Sequence, residues 1–288
     1  MNGLLGIPLH ARGSARARYG HAMRLWGDGR ISLAQLEAYR VASVDDCRPP
    51  SEVLTDRHLP VPPDLAPERE ALLAGLLDEA DRYLSALPGP GIAEVRAGLA
   101  RVGGVTPLPG SPASAPLAQS VVDLHLAQAL AALAGDGHLS LASAIAAAAP
   151  HLTWTSYDSY PRDRIGAAFA DGHAFCSLVG EGAPFPAQEF DFGLFLIAPH
   201  VLYRDHAHPA PELYAPLTGP HGWRFGPDRP LVVWPAHVPV WNPPQRPHLT
   251  KVGPLPLLCL FAWTADVNEP AMVLPAADWA KLEALRLG

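Results

Sequence analysis

Apolar residues recur at helical spacing through the first half of the chain and then contract into short runs. Ser32 stands three residues before Gln35, the offset of a capping box, and Leu33, Leu36 and Tyr39 follow at helical spacing, so a helix is predicted from there. Residues 48–63 are rich in proline and read as an extended connector. Pro67 stands where a first helical turn tolerates proline, and Leu72, Leu73, Leu76, Leu77, Ala80, Tyr83 and Leu84 draw one apolar stripe to about Ala86. Pro88-Gly89-Pro90-Gly91 ends it. A short helix through Ile92, Val95 and Leu99, a Gly/Pro/Ser-rich loop over 103–116, and helices over 117–133 and 139–149 complete the first half.

At His151 the texture changes. Short apolar runs over 175–179, 192–198, 213–217, 231–234, 238–241 and 257–263 are separated by Gly, Pro and Asp, the pattern of short strands in a sandwich or barrel. A helix over 276–287 closes the chain, and no internal repeat is present. Helices first and strands afterwards make an α+β protein, with a helical N-terminal region (1–150) packed on or capping a β-barrel (151–288).

Bulk properties narrow the function. The 288 residues suffice for one large domain or two ordinary ones, and 49% hydrophobic against 17% charged residues indicates an ordered fold. A net charge of -7 removes the basic excess that nucleic-acid binding needs and suits a small or cationic substrate. Cys47, Cys176 and Cys259 form no C-x-x-C pair, which fits a reducing compartment. Arg12, Arg16 and Arg18 follow the short apolar start instead of preceding it, unlike a secretory signal, and read as a solvated arm. No apolar run is long enough to span a membrane, so the expectation is a soluble cytoplasmic protein without membrane contact. The helical half offers a candidate homodimer interface.

Candidate chemistry concentrates in Asp205-His206-Ala207-His208-Pro209-Ala210-Pro211-Glu212-Leu213-Tyr214. On an extended strand His206 and His208 share a face, and Glu212 can return to them after the Pro209/Pro211 bend. Downstream, Pro243-Pro244-Gln245-Arg246-Pro247-His248 supplies a third histidine, completing a His3Glu set. Imidazoles with a carboxylate suit one divalent transition metal ion such as zinc, iron, manganese or nickel better than calcium. His125, His138, His200, His221 and His237 read as packing, surface or supporting residues.

The two motifs resemble those of the cupin superfamily, although the second lacks the usual glycine before its histidine and asparagine after it. From about Trp154 to Asp266 the chain is similar to the cupin-type dimethylsulfoniopropionate (DMSP) lyases. The run Gly193-Leu194-Phe195-Leu196-Ile197-Ala198-Pro199, then Tyr203, the His206/His208/Glu212/Tyr214 cluster and Leu257–Trp263 carry the likeness. The resemblance implies a jelly-roll barrel and a lyase that splits DMSP into dimethyl sulfide and acrylate. It implies His208, Glu212 and His248 as metal ligands, His206 as an accessory histidine, and Tyr203 and Tyr214 as pocket tyrosines. Such an elimination needs a base for the proton α to the carboxylate, and a nearby cation brings a phenol towards that role. Tyr214, two residues from Glu212, is the first choice and Tyr203 the second. Trp263, Phe195 and Trp241, with Trp223 and Trp234 as further candidates, are expected to cage the sulfonium. Another mononuclear-metal cupin enzyme, a dioxygenase or isomerase, and a non-catalytic small-ligand-binding cupin are the alternatives.

Overall fold

The computed structural model describes residues 13–62, 69–105, 107–108 and 120–288. Arg12, Pro67, residues 109–116 of the expected loop and 117–119 of the helix after it lie outside the described residues. Helices α1 (Ser14–Gly27), α2 (Leu33–Ala42) and α3 (Pro50–Asp56) gather around their own core of Leu25, Leu36, Tyr39, Val53 and Leu54. The capping box forms: the Gln35 N–H donates to the Ser32 hydroxyl at 3.2 Å, and the Ser32 N–H to the Gln35 side chain at 2.8 Å.

Two expectations fail in this region. The 48–63 segment is not extended throughout, because Pro50 opens α3 at a position where its missing N–H costs nothing, and Val53 and Leu54 then bury completely. Arg18 is not solvated either. Its guanidinium is buried on α1, donating to the Ser14 hydroxyl at 3.0 Å and to the Asp46 carbonyl at 3.0 Å.

The helices α4 (Arg69–Ser85), α5 (Ile92–Val102), α6 (Ser120–Gly135) and α7 (Leu139–Ala148) follow the predicted stripes. They pack on a six-stranded sheet. After the short helices α8 (Arg162–Ile165) and α9 (Ala167–Asp171) come β1 (His173–Gly180), β2 (Phe185–Pro186), β3 (Asp191–Ile197), β4 (Leu202–Ala207), β5 (Glu212–Pro216) and β6 (His221–Arg224). Then follow β7 (Val232–Trp234), β8 (Val240–Asn242), β9 (His248–Lys251), β10 (Leu257–Trp263), β11 (Met272–Val273) and α10 (Trp279–Ala284). The sheets run β2-β1-β3-β10-β5-β8 and β11-β4-β9-β6-β7. The two sheets face each other across a shared core, with Phe195, Tyr214 and Phe261 of one and Tyr203 and Trp223 of the other, so the chain is α+β as expected.

The six-stranded sheet is covered on both sides. Its outer face, with Leu178 on β1, Leu194 on β3, Leu213 on β5 and Leu260 on β10, shares one core with Leu76, Leu84, Leu99 and Ile145 of the helices. Each such aliphatic side chain contributes about 1.5–3 kcal/mol by leaving water. The inner face lines the barrel, and strand pairing arranges it in rows. Glu212, Trp263 and Asp191 are opposite one another across β5, β10 and β3, and Tyr214, Phe261 and Gly193 form the next row. Gly193 has to be glycine, since a Cβ there would lie 1.9 Å from the Cys176 carbonyl oxygen.

Helix-to-sheet packing is tight at Gly98 on α5, where a Cβ would fall 2.3 Å from the fully buried Phe190 ring. Gly98→Ala is expected to lower stability by about 1–2 kcal/mol, because overpacking of about 1–3 kcal/mol exceeds the roughly 1 kcal/mol that alanine adds to a helix. Gly75→Ala on α4, with nothing within 4 Å, is expected to raise it by up to about 1 kcal/mol. Urea midpoints of the two variants moving in the same direction would contradict this packing account.

Candidate active site

Strands β4, β5 and β9 deliver the predicted chemistry to one place inside the barrel. His206 is opposite His248 in the antiparallel pairing of β4 with β9. His208 follows β4, and the bend through Pro209 and Pro211 leads to Glu212 at the start of β5. The N–H of Gln245 donates to the His208 carbonyl at 2.8 Å, tying the loop before His248 to that bend. All three histidines and Glu212 are buried.

Hydrogen bonding fixes which ring nitrogens face inward. The Nδ1 atoms of His206, His208 and His248 lie 2.9, 2.8 and 2.8 Å from the carbonyls of Arg204, Ala210 and Arg246. A carbonyl only accepts, so each Nδ1 carries a proton, which leaves Nε2 as the atom each ring can offer a cation. Donor atoms of the three rings lie within 4.8 Å of one another. Nε2 of His206 and of His248 is buried without a hydrogen-bond partner. Glu212 Oε2 stands 3.3 Å from His208 Nε2 and 3.2 Å from His248 Nε2.

Lone pairs facing lone pairs in a buried site are unfavourable unless a cation lies among them. A proton on His208 satisfies one contact and leaves the other two rings orphaned. The donor set therefore fits a single divalent metal ion, and the Nδ1-to-carbonyl bonds are the outer contacts that orient histidine ligands. Among the described residues this is the one such group.

Glu212 is held on both oxygens. The Trp263 indole N–H donates to Oε1 at 2.7 Å and the Asn242 amide to Oε2 at 3.2 Å. Burial works to raise its pKa, but His208 and His248 outweigh burial and hold the carboxyl well below its usual range. For His208, burial opposes the charged form while Glu212 favours it, and the net shift is upward. His206 goes the other way: burial, with His248 and His208 adding to it, pushes it well below the usual imidazole value and keeps it neutral.

Beside this cluster lies a cavity of about 180 Å³, walled largely by aromatic side chains. Tyr203, Tyr214, Phe195 and Trp263 all line it. The Tyr203 ring is sandwiched between His206, at 3.9 Å between centroids, and Phe169, at 4.0 Å. Its hydroxyl bonds that of Tyr160 at 2.9 Å. Tyr214 is buried beside Glu212; burial first, and that carboxylate next, push its phenol well above the usual value. Burial does the same to Tyr203.

Three of the five tryptophan and phenylalanine candidates fall elsewhere. Trp241 is outside the cavity: it pairs with Leu213 on the face turned to the helices, and its indole fills the space that Gly91 leaves, where a Cβ would come within 2.1 Å. Trp223 is buried behind Tyr214 at 5.8 Å, and Trp234 packs on Phe225 at 5.7 Å. Tyr157, Tyr160, Phe175, Phe261 and Asp191 line the cavity unforeseen. Of the remaining histidines, His237 Nδ1 bonds the Tyr83 hydroxyl at 2.8 Å and touches the His138 ring, while His221 Nδ1 accepts the Gly253 N–H at 3.1 Å.

A family model described as dimethylsulfoniopropionate lyase matches residues 109–259, just over half of the 288. The dimethylsulfoniopropionate lyase DddQ of Ruegeria pomeroyi is 29% identical over 121 residues, 42% of this chain; the match spans 60% of that relative's length. Among solved structures, a chain from the work on the DMSP lyases RdDddP and RnDddQII superposes with a TM-score of 0.55 at 23% identity, over 72% of this chain and all of the other. DddQ from Ruegeria pomeroyi DSS-3 gives a TM-score of 0.50 at 23% identity, over 70% of this chain and 95% of the other. At these identities the structural matches speak for the fold. No helix among the described residues is long and apolar enough to cross a membrane.

Proposed function

Because the chain belongs to the dimethylsulfoniopropionate lyase family, we propose that it cleaves DMSP to dimethyl sulfide and acrylate by metal-dependent β-elimination, with Tyr214 as the base. The observation that carries the reading is the convergence of three Nε2 atoms and Glu212 beside two buried phenols in one aromatic cavity.

His208, His248 and Glu212, with His206 beside them, would hold one divalent ion. When bound, that ion supplies a Lewis-acid sink for the charge that develops on the substrate carboxylate, and a positive charge that favours a phenolate nearby. Tyr214 takes the proton from the carbon α to the carboxylate. The C–H pair becomes the new carbon–carbon double bond, the carbon–sulfur bond breaks, and its pair leaves on sulfur as neutral dimethyl sulfide.

Tyr203, braced by Tyr160 and by stacking on His206 and Phe169, orients the substrate. Aromatic walls exclude water and receive the sulfonium, since cation–π attraction needs no counter-charge. Trp263 has two tasks here, facing the cavity and holding Glu212 in place.

Purified, metal-loaded protein is expected to release dimethyl sulfide from millimolar DMSP, measured in the headspace by gas chromatography, and to stop releasing it after chelation. No release from the loaded protein, or release untouched by chelator, would overturn the proposal.

A further inference from the structure

The cavity wall carries a second carboxylate that the elimination does not use. Asp191 opens β3 on the inner face, in the same row as Glu212, with Trp263 of β10 between them. Two strand spacings separate the carboxylate-bearing residues, roughly 9.5 Å between backbones. Asp191 lines the cavity; Ser177 and the Phe192 N–H bond its carboxyl, and one oxygen, Oδ1, is buried without a hydrogen-bond partner. None of the ion pairs among the described residues includes it. Hydrogen bonds soften its burial, but no charge among the described residues neutralises it, so a cation entering the cavity finds a carboxylate without a counter-ion.

The arrangement has two distinct ends. One is the histidine cluster, which takes an anion once its metal is present. The other is a carboxylate beside an indole, which takes a cation. We propose that Asp191 anchors the cationic end of the substrate, so that the cavity selects small zwitterions whose carboxylate meets the His206/His208/His248/Glu212 cluster and whose onium group lies along Trp263 against Asp191. This rests on the lyase reading of the site and adds a charge-selecting residue to the aromatic cage.

Burial raises the Asp191 carboxyl to about 6, with Ser177 and the Phe192 N–H partly offsetting it, and a cation in the cavity would favour the ionised form. Selection follows from the same electrostatics. A carboxylate of equal shape with an uncharged tail leaves Asp191 without a counter-ion, and a dianion meets like charge.

The test compares two probes by calorimetry on metal-loaded protein: the trimethylammonium analogue of DMSP, and its carbon isostere with the same carboxylate and a neutral tert-butyl tail, called the neutral probe. Wild-type protein is expected to bind the cationic probe at least about tenfold more tightly. Asp191→Asn, which keeps the shape and removes the charge, is expected to erase about tenfold of that preference while changing affinity for the neutral probe less than about twofold. For turnover, its KM for DMSP is expected to rise with kcat nearly unchanged.

Equal affinity of wild-type protein for the two probes overturns the proposal without any variant. So does a preference that survives in Asp191→Asn, or an equal loss for both probes, which is what a merely structural Asp191 predicts. The outcome is separable from that of the elimination. A charge preference that depends on Asp191 in a protein releasing no dimethyl sulfide upholds the cation site and rejects the reaction; release with no charge preference does the reverse.

Discussion

His248→Ala is expected to leave the protein folded, empty of metal and inactive. The side chain contributes one of three lone pairs to the cluster and stands 3.2 Å from Glu212 Oε2. Altering groups that merely orient metal ligands costs about 10–100-fold in affinity, so removing a ligand should cost more than that. Metal content by elemental analysis is expected to fall from near one equivalent per chain to background. Stability separates this from simple damage. In metal-free protein, truncating His248 leaves a small cavity and takes the hydrogen bond from the Arg246 carbonyl, while β9 keeps its backbone pairing with β4 and β6, so the apo midpoint should fall modestly without loss of the fold. In wild-type protein, metal that binds only the folded chain raises the thermal midpoint by mass action. That rise should vanish in the variant. A His248→Ala protein that retains stoichiometric metal would remove His248 from the ligand set.

Much of this was legible in the sequence, and the reason is packing. Strands β1, β3, β5 and β10 are covered by helices on one side and by the barrel interior on the other, so they read as unbroken apolar runs. Strands β4, β6 and β9 carry the polar residues of the site and of its supports, and no apolar run marks them. Arg224 on β6 illustrates why. It is buried only because Asp205 of β4 and Asp278 before α10 pair with it, partners 19 and 54 residues away. The buried histidine–carboxylate cluster is visible in the sequence because His206, His208 and Glu212 sit within seven residues, a spacing that local geometry can judge. Trp241 was misplaced for want of register: once Asn242 is known to pair with Glu212, the residue before it must face the helices. Tyr160 and Asp191 have no local signal at all, since each acquires its role from a neighbour on another element.

Tyr214→Phe is expected to lower kcat by about 10²–10⁴, the range general-base catalysis supplies, while metal content stays at the wild-type level and KM changes little. The substitution removes one oxygen and keeps the ring, which packs near Phe195 and Trp223 in the barrel core, so the fold has no reason to change. The effect belongs to the hydroxyl because Tyr214 stands beside Glu212 and therefore beside any cation the cluster holds. In the protein alone, burial and that carboxylate keep the phenol protonated; a bound positive charge reverses the sign of the second influence. Tyr203 differs, with its hydroxyl already engaged by Tyr160 and its ring clamped between His206 and Phe169. Tyr203→Phe should therefore act mainly on substrate positioning, raising KM more than it lowers kcat. Single-turnover release of dimethyl sulfide from both variants decides the assignment: a Tyr214→Phe enzyme that keeps a tenth or more of the wild-type rate, alongside an inert Tyr203→Phe enzyme, would transfer the base to Tyr203.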